Sequence, residues 1–307
     1  MTAFLPAAQA QSWPQKPIKL IVTFAPGGSS DIVARLLQPG LQEKLGQTVI
    51  VENKPGADGA IATMAVISAP ADGSTLLFGT NTAIVGVPTL RKSPPYDPLR
   101  DLAPVSFVGR IGVYLFVRQD LPVQSLSDLL NLARSRPGTI SAGSAHSPGR
   151  LALAQLEQLT KTSLNHIPYK GSAPAQQDMI GGRVPLLFDV LFSSMPFVKD
   201  NRMKVIALSS PKRAASSPEI PLIAETVPGF SAVSAIGIIG PAGMPPALLQ
   251  KISADIGQVV RSAEVVSRMQ QLGMEPVGST SEQYTAQIRQ DIDKWAAIVK
   301  SAGIKLD

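Results

Sequence analysis

Along this chain short apolar runs alternate with stretches whose apolar residues recur every three or four positions. The segments TVIVEN (48–53), STLLFGT (74–80), VYLFVR (113–118) and TISAGS (139–144) read as strands. So do LNHIPY (164–169), VPLLFDV (184–190) and KVIALSS (204–210). Between several of them, 31–45, 125–134 and 150–159 carry helical spacing. Strands that alternate with helices predict an α/β architecture of mostly parallel sheets covered by helices on both faces. Pro39 falls inside the first helical pattern and predicts a kink or a split there. The last third changes character, with long amphipathic helices over 245–260 and 281–303. In the second of these, Tyr284, Ile288, Ile292, Trp295 and Val299 form one stripe, and Ser279 with Glu282 fits a capping box at its start. No internal repeat and no low-complexity linker interrupts the pattern.

The stretch KLIVTFAPGGSSDIVARLL (19–37) leaves a strand, turns at Pro26-Gly27-Gly28 and enters a helix at once. Gly27 and Gly28 can adopt positive φ and let a ligand approach the backbone. Ser29, Ser30 or Asp31 can cap a helix whose first amides favour an anion. The same pattern also suits an ordinary strand-to-helix joint, and it matches neither GxxxxGK[ST] nor GxGxxG. ENKPGADGAIA (52–62), GTNTA (79–83) and SAGSAHSPGR (141–150) repeat the theme of small polar residues after a strand. Open α/β sheets bind ligands at the carboxyl ends of their strands, so these loops together predict one polar cleft.

A length of 307 residues allows two domains, and 44% hydrophobic against 16% charged residues describes a well-packed globular chain. The formal charge of +6 suits acidic solutes, an acidic partner or an anionic membrane surface, whereas the absence of a Lys/Arg stripe and only 5% aromatic residues argue against nucleic acid. Cysteine is absent, which excludes disulfides and cysteine-ligated zinc. Residues 1–12 read as the remnant of a secretory leader, with Ala8-Gln9-Ala10 as the small-x-small cleavage pattern. Neither a GxSxG elbow, an HExxH motif nor an EF-hand pattern is present, and the two histidines are His146 in a candidate loop and His166 inside an apolar strand. No catalytic residue, metal site or cofactor is expected.

The blocks APGGSSDIVAR, VENKPGADGAIA, IPYKGSAPAQQDMIGGRVPLLFD and GPAGMPPALLQKI, in this order, resemble the Bug family, the extracytoplasmic solute receptors of tripartite tricarboxylate transporters. The resemblance covers the chain from about Trp13 onward. It implies a type II periplasmic binding protein, a Venus flytrap of two α/β lobes. Residues 13–114 and 234–307 would form lobe 1 and 115–233 lobe 2, with crossings near 113–117 and 233–236. It implies a monomer that captures a small carboxylate (a di- or tricarboxylate, an acidic amino acid or an aromatic acid) in the periplasm for membrane permease subunits.

Carried over by the same resemblance, the ligand site would comprise Ala25, Gly27, Gly28 and Ser29, then Thr80, Asn81 and Thr82. The other lobe would supply Ser144, Ala145, His146, Ser147 and Asp189, with Asp31, Arg150, Tyr169 and Lys170 as further candidates. Asp58, Ala145-His146 and Arg150 depart from the family pattern in or beside the cleft. A sensory receptor for a membrane kinase, or an enzyme on the same fold, are the alternative readings.

Overall fold

The computed structural model describes residues 13–304, so the leader expected at 1–12 lies outside the described residues. The chain first builds β1 (Ile18–Val22), α1 (Ser29–Leu45), β2 (Val49–Asn53), α2 (Ala60–Ile67) and β3 (Thr75–Thr80). A wide helical turn over Thr82–Gly86 leads into α3 (Val87–Leu90) and then the long strand β4 (Leu102–Gly112). Val113 alone separates β4 from β5 (Tyr114–Arg118), which opens a second sheet. There α4 (Leu126–Ser135), β6 (Ser141–Ser144), α5 (Ser147–Thr160), β7 (Asn165–Pro168) and α6 (Ser172–Ile180) follow. Next come β8 (Leu186–Asp189), α7 (Leu191–Lys199), β9 (Met203–Leu208) and α8 (Ile223–Thr226). The chain returns through β10 (Val233–Pro241) and closes with α9 (Pro246–Val260), α10 (Ala263–Gln271), β11 (Met274–Pro276) and α11 (Ser281–Ser301).

Two sheets result, ordered β11-β4-β10-β3-β1-β2 and β7-β6-β8-β5-β9. Each is mixed, which corrects the expectation of mostly parallel sheets. β1 is parallel to β2 and β3, and β6 to β7 and β8, but β10 meets both β3 and β4 antiparallel. The reason is the crossing itself: β4 carries the chain out of the first lobe and its neighbour β10 carries it back. Residues alternate faces along a strand. Ile18, Leu20 and Val22 of β1 accordingly pack with α1 and α9, whereas Ile21 packs with α2 and α11.

Both crossings are clasped at one residue. The Val113 amide donates to Ser209 Oγ at 3.2 Å, and the Ser209 amide donates back to the Val113 carbonyl at 2.8 Å. Ser209 Oγ in turn donates to the Ala232 carbonyl, and the Ala232 amide reaches the Ser209 carbonyl at 3.3 Å. The lobes also meet beside the cleft, where Leu151 and Ala154 of α5 share a buried cluster with Trp295 and Ile298 of α11.

Two local expectations change. Helix α1 is not split at Pro39 but continues through it as one element, because Pro39 is on the solvent side, where water can take the carbonyl that loses its amide. The capping box of α11 is Thr280 with Gln283, each side chain bonding the other's backbone amide. Ser279 is instead drawn inward, where its hydroxyl accepts the Phe107 amide at 3.0 Å.

Candidate functional site

The cleft between the lobes holds two chambers that share Phe24, Thr82, His146, Lys170 and Gly171. The inner one, of about 430 Å³, lies where three helices begin. Gly28, Ser29 and Ser30 of α1, Gly171, Ser172 and Ala173 of α6, and Phe192 and Ser193 of α7 all line it. The first amides of a helix have no acceptor within it and carry the positive end of its dipole, so three such starts make an anion site out of backbone. No acidic side chain is among the described residues that line this chamber. Phe24, Phe192, Ile111 and Val190 give it apolar walls.

The turn before α1 is held from behind. Gly27 adopts φ 82°, which favours glycine, and its amide donates to Asp31 Oδ2 at 2.9 Å. Asp31 Oδ1 accepts Arg35 Nε at 2.9 Å, Arg35 also reaches Asn53 Oδ1, and Asn53 donates to the Phe24 carbonyl. Burial raises the Asp31 carboxyl, but the bonds from Arg35, the Gly27 amide and Asn53 outweigh it and hold the group below its ordinary range. Asp31 therefore faces its own loop, away from the chamber lining, and the Gly27 amide is already committed to it. Gly28 has φ −77° and ψ 168°, which any residue adopts, so the expected positive φ belongs to Gly27 alone. As the N-cap of α1, Gly28 must be extended.

Thr80 ends β3 and lines the inner chamber, 6% exposed, with an Oγ1 that has no hydrogen-bond partner among the described residues. Thr82 lines both chambers. Asn81 turns the other way and donates to Asp291 of α11 at 3.2 Å.

From the second lobe, Ser144, Ala145, His146, Ser147, Arg150, Tyr169 and Lys170 line the outer chamber, of about 600 Å³. Across it stands a turn with four successive positive φ values, Gly56, Ala57, Asp58 and Gly59. Arg91 braces that turn, donating to the Ala57 carbonyl at 3.0 Å and lying 3.8 Å from Asp58 Oδ2. The Tyr169 hydroxyl donates to Asp178 at 2.9 Å, and burial together with that acceptor pushes it up to about 12.

Asp189 lies behind the inner chamber, fully buried. Its Oδ1 accepts the Ser172 hydroxyl at 2.7 Å and the Val190 amide at 2.8 Å, while Oδ2 accepts Gln176 Nε2 at 3.0 Å. Burial pushes the carboxyl up, and His146, Ser172, the Val190 amide and Gln176 oppose that. Asp189 thus ties β8 to the starts of α6 and α7. Serine, histidine and aspartate meet here, but in the wrong order for a hydrolase triad: Ser172 sits between Asp189 and His146, so the imidazole does not link nucleophile to acid. The other pair is Ser144 Oγ and His166 Nε2 at 2.8 Å, where burial and the nearby Arg150 charge pull the imidazole down. The sequence reading did not anticipate Phe24, Ser172, Gln176 or Phe192 in the site; only the GSAPAQQ block hinted at two of them.

Among the described residues no three His, Cys, Asp or Glu gather to hold a metal, and no helix is long and apolar enough to cross a membrane. Residues 33–304 match the sequence profile of the tripartite tricarboxylate transporter family receptor. The chain is 36% identical over 301 residues to a UPF0065 protein of Bordetella bronchiseptica, covering 98% of this chain and 90% of that one. It is also 36% identical to the protein BugT of Bordetella pertussis, with 97% and 92% covered. Among solved structures it superposes on R. palustris Rpa4515 with adipate at a TM-score of 0.87 and 32% identity, covering 96% of this chain and 99% of that one. MatC (Rpa3494) from Rhodopseudomonas palustris with bound malate follows at a TM-score of 0.81 and 26% identity, covering 94% and 100%.

Proposed function

This chain belongs to the tripartite tricarboxylate transporter receptor family, and we propose that it captures a small carboxylate between its lobes and delivers it to the membrane subunits of such a transporter. The observation that carries the reading is the convergence of the starts of α1, α6 and α7 on one apolar-walled chamber free of lining acids. A carboxylate needs donors and a positive field, and its hydrocarbon body needs apolar wall. The chamber offers both. The amides of Ser29, Ser30, Ser172 and Ala173, with the Thr80 and Thr82 hydroxyls and His146, form the grip in this reading. Structural neighbours hold adipate and malate, which supports an aliphatic acid as the ligand. The receptor works as a monomer in the periplasm and returns the acid unchanged.

A melting-temperature screen across mono-, di- and tricarboxylates, acidic amino acids and aromatic acids, followed by calorimetry, tests this. A ligand at a hundred times its dissociation constant adds about 2.7 kcal/mol of stability. Failure of every acid to bind, or mass spectrometry that finds the acid consumed, would overturn the reading.

A further inference from the structure

Beside the cleft the two lobes meet along a seam that runs from the outer chamber back to the crossing. Its cleft end is Gly86, which closes the turn Thr82–Gly86 and lines the outer chamber. Gly86 has φ −62° and ψ −51°, ordinary helical backbone that alanine adopts more readily than glycine. Conformation gives no reason for glycine here; space does. A Cβ at Gly86 would stand 3.1 Å from the Trp295 ring of α11. It would also stand 3.2 Å from both Cβ and Oγ of Ser147, the first residue of α5 in the other lobe.

Behind Gly86, the buried Trp295 and Ile298 of α11 pack with Leu151 and Ala154 of α5. At the far end Lys294 of α11 donates to the Ser231 carbonyl, and the Ser231 amide donates to Gln155 Oε1 of α5 at 3.1 Å. Ser231 stands between Phe230 and Ala232, which belong to the second lobe's core. The gap left between Pro148 and Leu151 of α5 and Asp291 and Lys294 of α11 is only about 20 Å³. The same face of α11 also holds the ligand loop, because Asp291 accepts Asn81 Nδ2 at 3.2 Å, between Thr80 and Thr82. Packing this tight has two states rather than a continuum: α5 either encloses Trp295 or leaves its ring to water.

Resting on the reading of the cleft as an acid-binding site, we propose that the α5–α11 seam is a latch that holds the lobes together independently of the acid, so that its strength sets the apparent affinity. Lys294 and Trp295 line neither chamber. They act on binding only through the fraction of molecules whose lobes are latched. The apparent dissociation constant is the intrinsic one divided by that fraction. A weaker seam therefore raises the dissociation constant of every acid by one common factor and leaves their order of preference unchanged.

Lys294→Met removes the ammonium and keeps the length of the side chain; Gly86→Ala wedges the cleft end. Small-angle scattering and calorimetry of the full chain, with adipate and with malate, read both variants, and a melting curve checks that each is folded. Both variants should show a larger radius of gyration than the parent. Lys294→Met should raise the dissociation constants of the two acids about three- to tenfold, by the same factor for each. Adding Ser147→Gly to Gly86→Ala removes the two atoms that the alanine meets and should restore the parent's radius. A Lys294→Met protein that melts earlier but keeps the parent's radius and affinities has lost a structural contact only, which overturns the latch while leaving the cleft an acid site. A factor that differs between the two acids overturns it as well. If these acids and the whole screen fail to bind, the acid-site reading falls, and a radius unchanged in both variants without acid then overturns the latch separately.

Discussion

Replacing Thr80 by valine separates a ligand-binding hydroxyl from a merely buried one, because the two roles move stability and affinity differently. Valine has nearly the shape of threonine, and Thr80 is almost enclosed at the end of β3, opposite Ile236 of β10. Its Oγ1 has no protein partner among the described residues. A buried hydroxyl without a partner costs about 1–3 kcal/mol, so Thr80→Val should stabilise the unliganded protein by roughly 1 kcal/mol. A charge-assisted hydrogen bond to a carboxylate is worth about 1.5–3 kcal/mol, so the same change should weaken binding by about ten- to a hundredfold. Thr80→Ser keeps the hydroxyl and should keep most of the affinity. The assay pairs a melting curve without ligand with calorimetric titration of the best acid from the screen. A Thr80→Val protein that binds within about twofold of the parent refutes the argument.

Three further outcomes follow from the site. Gly27→Ala forces a side chain into φ 82° and should cost about 1 kcal/mol in chemical denaturation, whereas Gly28→Ala, at φ −77° with only the Ala25 carbonyl at 3.4 Å, should leave stability nearly unchanged and reduce affinity by crowding the anion. Asp31 has its carboxyl held low, so its contribution is present above the ordinary carboxylate range and fades as pH falls through the folded value; Asp31→Asn should lower the melting temperature at neutral pH and approach the parent's in acid. Ligand touching both lobes should shift the population toward closure and reduce the radius of gyration in small-angle scattering, an unchanged radius at saturation being the contrary result.

The two-lobed plan was legible because its signals are local: period-2 and period-3.6 patterns, small residues after each strand, and family blocks in order. What escaped depended on competition between equivalent local solutions. Ser279-Glu282 and Thr280-Gln283 both satisfy a capping box, and only the buried Phe107 amide that claims Ser279 decides between them. Asp31 is acidic in a candidate loop, yet the Gly27 amide and Arg35 claim both its oxygens. The Ser172, Asp189 and His146 cluster joins residues from three separate elements, and no spacing along the chain announces it. The mixed sheets escaped because strand direction follows from the crossings, which periodicity does not encode.

The proposed grip, made largely of main-chain amides, has a consequence for how such receptors diversify. Every residue except proline supplies the same N–H, so substitutions at the starts of α1, α6 and α7 whose side chains point away from the chamber leave that contact in place. The side chains of the wall and the partition, such as Phe24, Phe192, His146 and Lys170, are then where the preferred acid can change. A gene copy that drifts at those positions would change the acid it prefers while the proposed capture of the carboxylate group stays in place.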